Sequence, residues 1–408
     1  MKKPDKILIC GPYITSYDDV MLNGLSSGFN QLGIQTLVLS ELPSQEKLIE
    51  ICSTYSINIV MEINRRRNEL PDLPKKILHI SWLQDPLSVV ININMSHNGS
   101  KNIGEEVNCE SSRSDLTYYL TKPEILGYTL EDKNEYTGLL YTGVSLGICL
   151  KSPVPPISDF SIIGYIPPPL TDEILIKPMI SGRDRPTICD VAQIFNNEYL
   201  SITKPLTIDD YHCSYVNKLV RKILREKFNV QDTEPFRYNK TMFYFEQHLA
   251  RSIDRMRLTD KLLSISRSMR IYGGPEWLCW RKYKSYYQTF LSESTDICDV
   301  FRTTRLNFHN NINGFGLHSR VFDCMGSGGA IMINETSCDN LPGGIQTEFE
   351  PLVDYIPFNY YNLHEIAAKW LRDEKSRLRI GANAQKKVIS KHTWKHRAEQ
   401  IIKDLIRI

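Results

Sequence analysis

The sequence predicts an α/β protein made of two doubly wound lobes, and three observations carry that reading. Short apolar runs alternate with helical patterns from the amino terminus onward, the pattern of a parallel sheet wrapped by helices. The chain of 408 residues is longer than one ordinary core accommodates and suits two domains. Between them lies KSPVPPIS, Lys151 to Ser158, whose prolines remove backbone donors and favour an extended linker. We expect an amino-terminal domain over 1–150, a linker over 151–158, a carboxyl-terminal domain over 159–390 and a terminal helix over 391–408.

Taken in order, Lys6 to Cys10 is an apolar strand ending in Gly11-Pro12, followed by a polar loop through Tyr13 and a helix from about Asp18 to Leu32. Gly33 caps that helix, and Gln35 to Ser40 is the next strand. A helix from Gln45 to about Tyr55, a strand Asn58 to Met61 and a basic loop Arg65 to Arg67 follow. Ile77 to Trp82 is a further strand, ending in Gln84-Asp85-Pro86. Gly11 stands alone, without the glycine pattern of a dinucleotide fingerprint, so NAD is not favoured. The loop that holds Gly11 and Tyr13 and the tip around Asp85 both fall at the carboxyl edge of the sheet, where ligands bind. Asp85, or His79 on the same strand, is the candidate general base of this lobe, although an Asp before Pro is also a common turn. Strand-like pieces continue through Leu116 to Leu120, Ile125 to Tyr128 and Thr137 to Val144.

The second lobe opens with the strand DFSIIGY, which places Gly164 and Tyr165 at its end before three prolines. A charged, helical insertion spans about 207–268, with apolar residues at three- and four-residue spacing; its Lys and Arg read as a solvated face rather than a nucleic-acid surface. RIYGGPEWLCW is a strand that places Tyr272, Gly273 and Gly274 at its end, with Trp277 just beyond. The stretch LNFHNNINGFGLHSRVFDCMGSGGAIMIN, Leu306 to Asn334, reads as strand, glycine-bearing turn, helix from Leu317 to Met325, glycine-rich break and strand. A right-handed crossover puts the start of such a helix at the carboxyl edge, where free N–H groups attract anions. His318 and Arg320 lie in its first turn, and Arg320 carries the fork that fits phosphate oxygens. Asp323, three residues on, shares its face, although such a pair is also common on solvated helices. Three helices, Leu363 to Asp373, Glu374 to Lys391 and Trp394 to Ile408, close the chain.

The pattern Gly316, Arg320, Phe322, Asp323, Gly328, Gly329 before an apolar strand resembles the signature of the CgeB-like (spore-maturation) group of GT-B glycosyltransferases, related to the glycosyl transferases group 1 family. His392, Thr393, Trp394 and Arg397 resemble that group's terminal H-T-[WY]-x-x-R. The resemblance implies two Rossmann-like domains facing across a cleft, with the last helix crossing back to the first domain. It also implies an enzyme that moves a sugar from a nucleotide-diphosphate donor, UDP favoured over GDP, without a metal or other cofactor. In that reading Gly164, Tyr165, Tyr272, Gly273, Gly274, Gly316, Leu317, His318, Arg320 and Asp323 line the donor site, with Asp323 on the ribose and Arg320 also acting on the leaving group. Gly11 and Tyr13 belong to the acceptor-side loop. The group usually has Glu where Asp323 stands, and Phe315 occupies the place of an earlier acid of the wider family. A catalytically degenerate nucleotide-sugar-binding module, or an epimerase or phosphorylase on the same fold, therefore stays open as an alternative.

Charge is balanced, 49 basic against 47 acidic residues, which argues against a nucleic-acid partner. The expected partners are the donor and a glycan or glycoconjugate acceptor. No stretch is long enough to span a bilayer, which leaves only a peripheral membrane contact open. Ten dispersed cysteines without a C-x-x-C pair read as reduced thiols of a cytoplasmic protein, and no cluster has metal-ligand spacing.

Overall fold

The computed structural model describes residues 4–12, 16–84, 114–126, 137–150, 154–180, 185–202, 212–231, 241–242, 244–310 and 317–408. Two parallel sheets with flanking helices make up the protein. The first has the order β2-β1-β3-β4-β5-β6, formed by β1 (Lys6–Cys10), β2 (Gln35–Leu39), β3 (Ile59–Ile63), β4 (Leu78–Leu83), β5 (Leu116–Tyr119) and β6 (Gly138–Leu139). Its central strands are near-continuous apolar runs because both faces are covered: every residue of β3 is buried, as are the last four of β1. Helices α1 (Ser16–Gln31) and α2 (Gln45–Thr54) link the first three strands. Gly33, at φ 75°, ends the turn after α1 as its sequence position predicts. The Ser44 hydroxyl starts α2 by accepting from the Lys47 N–H.

A short helix α3 (Leu146–Cys149) leads to the second sheet, whose order is β11-β10-β9-β7-β8. It consists of β7 (Ser158–Ile163), β8 (Met269–Tyr272), β9 (Thr304–His309), β10 (Ile331–Asn334) and β11 (Ile356–Phe358). Between β7 and β8 the chain forms α4 (Ile188–Leu200), α5 (His212–Phe228), a single π-helical turn (Tyr244–Leu249) and α6 (Ala250–Leu263). These helices enclose an apolar core of their own, in which Phe195, Val220, Ile223 and Phe245 are buried. Helices α7 (Ser294–Arg302) and α8 (Ser319–Gly326) flank β9, and α9 (Leu363–Arg372), α10 (Glu374–Lys391) and α11 (Trp394–Arg407) end the chain.

The last helix belongs to the first lobe. Trp394, Ala398, Ile401, Ile402 and Leu405 of α11 share a core with Ile7, Leu22, Leu25 and Phe29. A Cβ on Gly24 would fall on the Trp394 ring and one on Gly28 on its backbone carbonyl, so glycine at both positions admits α11 this close to α1. The fold class read from the sequence, including the crossing of the terminal helix, is the observed one.

Two strand expectations changed. Pro123–Leu126 is a 3₁₀ turn where a strand was expected from Ile125. The expected strand Thr137 to Val144 is reduced to Gly138–Leu139: Thr137 and Leu140 still bond to β5, but the backbone at Thr142 and Val144 pairs with the tail. Val144 N–H donates to His392 O at 3.0 Å, Trp394 N–H donates to Val144 O at 3.2 Å, and Thr142 O accepts from Arg397 Nε at 3.0 Å.

Candidate functional site

In the second sheet the connection from β7 runs outward to β8, while that from β9 runs the other way to β10. The loops leaving the carboxyl ends of β7 and β9 therefore diverge, and this switch point is where an open α/β sheet binds its ligand. Gly164 follows β7 directly, and Arg320 enters from the first turn of α8 after β9. Arg320 Nη1 donates to the carbonyl oxygen of Ile163. A Cβ added to Gly164 would lie 2.7 Å from Arg320 Nη1 and 2.9 Å from Arg255 Nη2, so two guanidiniums converge on that glycine.

Arg255 is 5% exposed, and its Nε has no hydrogen-bond partner among the described residues. Burial, with Arg320 and Arg251 nearby, pulls its pKa down from 12.5 to about 9. A buried cation held close to other cations has the charge that suits an anionic ligand. The sequence reading missed Arg255. Its signal was present, because Arg251, Arg255, Leu258 and Leu262 fall on one face of α6, so that two arginines continue an apolar stripe.

His318 is the N-cap of α8, its Nδ1 accepting from Arg320 N–H at 3.2 Å and lying 3.0 Å from Ser319 Oγ. Burial and then Arg320 and His309 hold its pKa well below the usual histidine range, so the ring is a neutral acceptor. The cap moves the helix start to Ser319, two residues after the expected Leu317, which is buried in the core. Asp323 is half-buried, and desolvation lifts its carboxyl from 3.8 to about 7 against the pull of Arg320.

The glycines after β7 and β8 meet. Gly164 N–H donates to Tyr272 O at 2.9 Å, and a Cβ on Gly273, at φ 153°, would collide with Gly164 O. Trp277 Nε1 closes the corner by donating to Gly164 O at 2.8 Å. Gly274 then caps a 3₁₀ turn, Pro275–Cys279, and the Glu276 carboxylate folds over it. Tyr272 and Trp277 are core residues, 6% and 0% exposed, rather than a platform for a base. The ring on the surface is Tyr165, 41% exposed, whose hydroxyl is pushed up by burial and by Glu276.

On the first lobe, Gly11 ends β1 and donates its N–H to Leu39 O at 3.2 Å. Asp85, Tyr13 and Gly316 lie outside the described residues. His79 is the second residue of β4, at the amino end of its strand and away from the ligand edge. It is fully buried, with Nε2 2.8 Å from Glu62 Oε2 and Nδ1 2.9 Å from Ser114 Oγ. The structure thus corrects the view of His79 as a general base: both ring nitrogens are engaged inside the sheet, and no substrate atom reaches them there. Burial works to raise the Glu62 carboxyl, but hydrogen bonds from His79 and Arg65 outweigh it and hold the group below its ordinary range. Among the described residues no group of His, Cys, Asp and Glu has the arrangement of a metal site, and no helix is long and apolar enough to cross a membrane.

Residues 250–403 match a family model described as "Glycosyl transferase-like". No curated protein matches the chain. Among solved structures, HepE from Anabaena in complex with UDP and glucose is similar at 9% identity and a TM-score of 0.51, over 99% of this chain and 100% of that one. An alpha-glucosyltransferase in complex with UDP and a 13-mer DNA gives 8%, 0.51, 99% and 100%. Sucrose-phosphate synthase from Thermosynechococcus elongatus gives 10%, 0.50, 99% and 98%. With two parallel sheets in this order, a last helix returned to the first lobe, and these likenesses along its whole length, the chain has the GT-B glycosyltransferase fold.

Proposed function

We propose that the protein transfers a sugar from a nucleoside diphosphate donor, UDP-sugar first, to a glycan or glycoconjugate, and that it is a CgeB-like member of the GT-B enzymes acting in the cytoplasm. The observation that carries this is the pair Arg320 and Arg255 over Gly164 at the switch point of the second sheet. Two guanidiniums and the amino end of α8 supply positive charge where a departing diphosphate gains negative charge. That match is what supports metal-independent chemistry. UDP is favoured because the Anabaena and DNA-bound structures hold it.

In this reading residues 159–390 bind the donor and 1–150 the acceptor, with 151–158 between them. The Asp323 carboxylate accepts from a ribose hydroxyl, and the backbone at Gly164, Gly273 and Gly274 lets the donor approach closely. Tyr165 stands beside it. His318 and Leu317 position the start of α8, and Gly316, just before them in the sequence, is assigned to the donor as well. Gly11 and Tyr13 are assigned to the acceptor side. If the reaction inverts configuration, Asp85 after β4 is the base that takes the acceptor proton.

Calorimetric titration with UDP and GDP, followed by a panel of sugar nucleotides assayed for released diphosphate, tests the proposal. Micromolar UDP binding that Arg320→Ala weakens at least tenfold, with slow release from one donor, is the expected result. Wild-type affinity in Arg320→Ala removes that side chain from the site. Binding with no release under any condition makes the protein a nucleotide-sugar-binding module instead.

A further inference from the structure

The histidine, tryptophan and arginine that begin the last helix do more than turn the chain. Thr393 opens α11, its hydroxyl 2.7 Å from His396 Nδ1, and the backbone of 392–394 pairs with Val144 of the first lobe. Arg397, one turn on, is 5% exposed. Its Nε donates to Thr142 O at 3.0 Å, Nη1 to Lys391 O at 3.4 Å and Nη2 to His392 Nδ1 at 2.7 Å. The guanidinium stands 5.6 Å from the ring centre of Tyr141 in the first lobe and 5.7 Å from that of Phe322 in the second. Phe322 is a residue of α8, between Arg320 and Asp323. It also packs 5.0 Å from the His392 ring and 6.2 Å from Tyr141.

A guanidinium is an expensive filler here. Burial pulls Arg397 down to about 10, and a leucine or methionine would occupy the same apolar cluster without that penalty. The planar cation gives something an aliphatic chain does not: directed bonds to backbone oxygens on one side and a flat face toward two rings. Thr142, Val144 and the glycines around Trp394 fix Arg397 to the first lobe, while Phe322 moves with the donor helix.

We infer that Arg397, held by His392, is a positioning residue that links the lobe junction to α8 and sets where Arg320 and Asp323 stand relative to the donor. This rests on the donor-site reading given above. Its reciprocal consequence is that donor binding tightens the junction: a ligand that orders α8 orders the segment against it.

The test uses the full chain and the variants Arg397→Lys and Tyr141→Leu, the second removing one of the two rings from the first-lobe side. Lysine keeps the charge and loses the fork and the flat face. The measurements are melting temperature, donor KM and kcat from diphosphate release, and amide exchange of residues 319–326 with and without UDP. For Arg397→Lys we expect a melting temperature within a few degrees of wild type, a donor KM raised about tenfold, kcat lowered several-fold, and exchange over 319–326 several-fold faster while 363–372 is unchanged. UDP should slow exchange of 392–398 in the wild type and fail to do so in the variant. Folded variants with wild-type KM and wild-type exchange over 319–326 overturn the inference. Should Arg397→Lys not fold, Tyr141→Leu decides by the same readouts. If wild-type protein binds no nucleoside diphosphate, the transfer reading fails, yet exchange over 319–326 in the variants still decides whether the junction controls α8.

Discussion

Replacing Arg255 by methionine should make the protein more stable and a worse binder at once. Arg255 is 5% exposed, its Nε lacks a partner among the described residues, and its pKa is about 9 instead of 12.5. That depression corresponds to a charged form disfavoured by roughly 5 kcal/mol, part of it mutual repulsion with Arg320. Methionine keeps the apolar stem and removes the charge. Buried charges replaced by apolar groups of similar volume recover about 1–4 kcal/mol, so we expect a gain of about 1–3 kcal/mol and a melting temperature higher by about 2–5 °C. Arg320 also loses a like-charged neighbour. Against this, two charge-assisted bonds to a diphosphate, each worth about 1.5–3 kcal/mol, disappear, and UDP affinity should fall about a hundredfold or more. Differential scanning calorimetry with and without UDP, paired with isothermal titration, reads both halves. The stabilising effect of UDP expected for the wild type should vanish in the variant. A variant that melts several degrees lower shows the guanidinium to be a structural group with its own partners. Unchanged UDP affinity shows that no anion sits there.

Three further outcomes follow from the geometry. Gly164→Ala should fold normally, because the atoms nearest its Cβ are the side-chain ends of Arg320 and Arg255, but it should displace both and weaken UDP binding by about tenfold; titration and a melting curve check this. The Asp323 carboxyl titrates at about 7 in the folded state and 3.8 unfolded, so folded protein holds a proton that unfolded protein releases, and stability falls as pH rises from about 4 to 7. Asp323→Asn should abolish that fall and be more stable by roughly 1–3 kcal/mol above pH 8, while losing the rise in UDP affinity expected of the wild type between pH 6 and 8; denaturant melts and titrations across pH test it. His79→Asn should cost about 2–4 kcal/mol by disrupting the buried Glu62–His79–Ser114 chain, with kcat of the folded fraction within about twofold of wild type. A hundredfold fall in kcat at an unchanged melting temperature would restore His79 to the chemistry.

What was legible in the sequence is what short-range physics decides. The runs KILIC and IVMEI are buried on both faces, and their apolar continuity announces a parallel sheet before any contact is known. Gly164 and Gly273 stand at strand ends, where a backbone approach requires glycine, and the structure brings the two together. The helix start was placed two residues early because its cap is a histidine, not one of the short polar residues that usually mark an N-terminus. His79 could have been set aside from the sequence: a strand that ends toward Gln84 directs its carboxyl edge away from its second residue. The segment 137–144 was illegible for the opposite reason. At Thr142 and Val144 its hydrogen-bond partners are in the tail, about 250 residues later, and no local pattern reports a partner that distant.

Arg255 marks the boundary between the two cases. On its own helix it reads as one more basic residue of a charged insertion, and a solvated face is the ordinary fate of such residues. Its role depends on where α6 begins, and that depends on the helices before it enclosing their own core, with Phe195 and Phe245 in edge-to-face contact 5.2 Å apart. A π-helical turn immediately ahead of Arg251 shifts the register by one residue relative to an uninterrupted α-helix. The insertion is therefore part of the site's construction: it returns the chain to the carboxyl edge of β7 with Arg255 directed at Gly164, and the apolar packing of α4, α5 and the turn holds that cation beside Arg320 against their repulsion. Loosening that packing far from the switch point, at Phe245 for example, should relax the pair and weaken diphosphate binding through geometry alone.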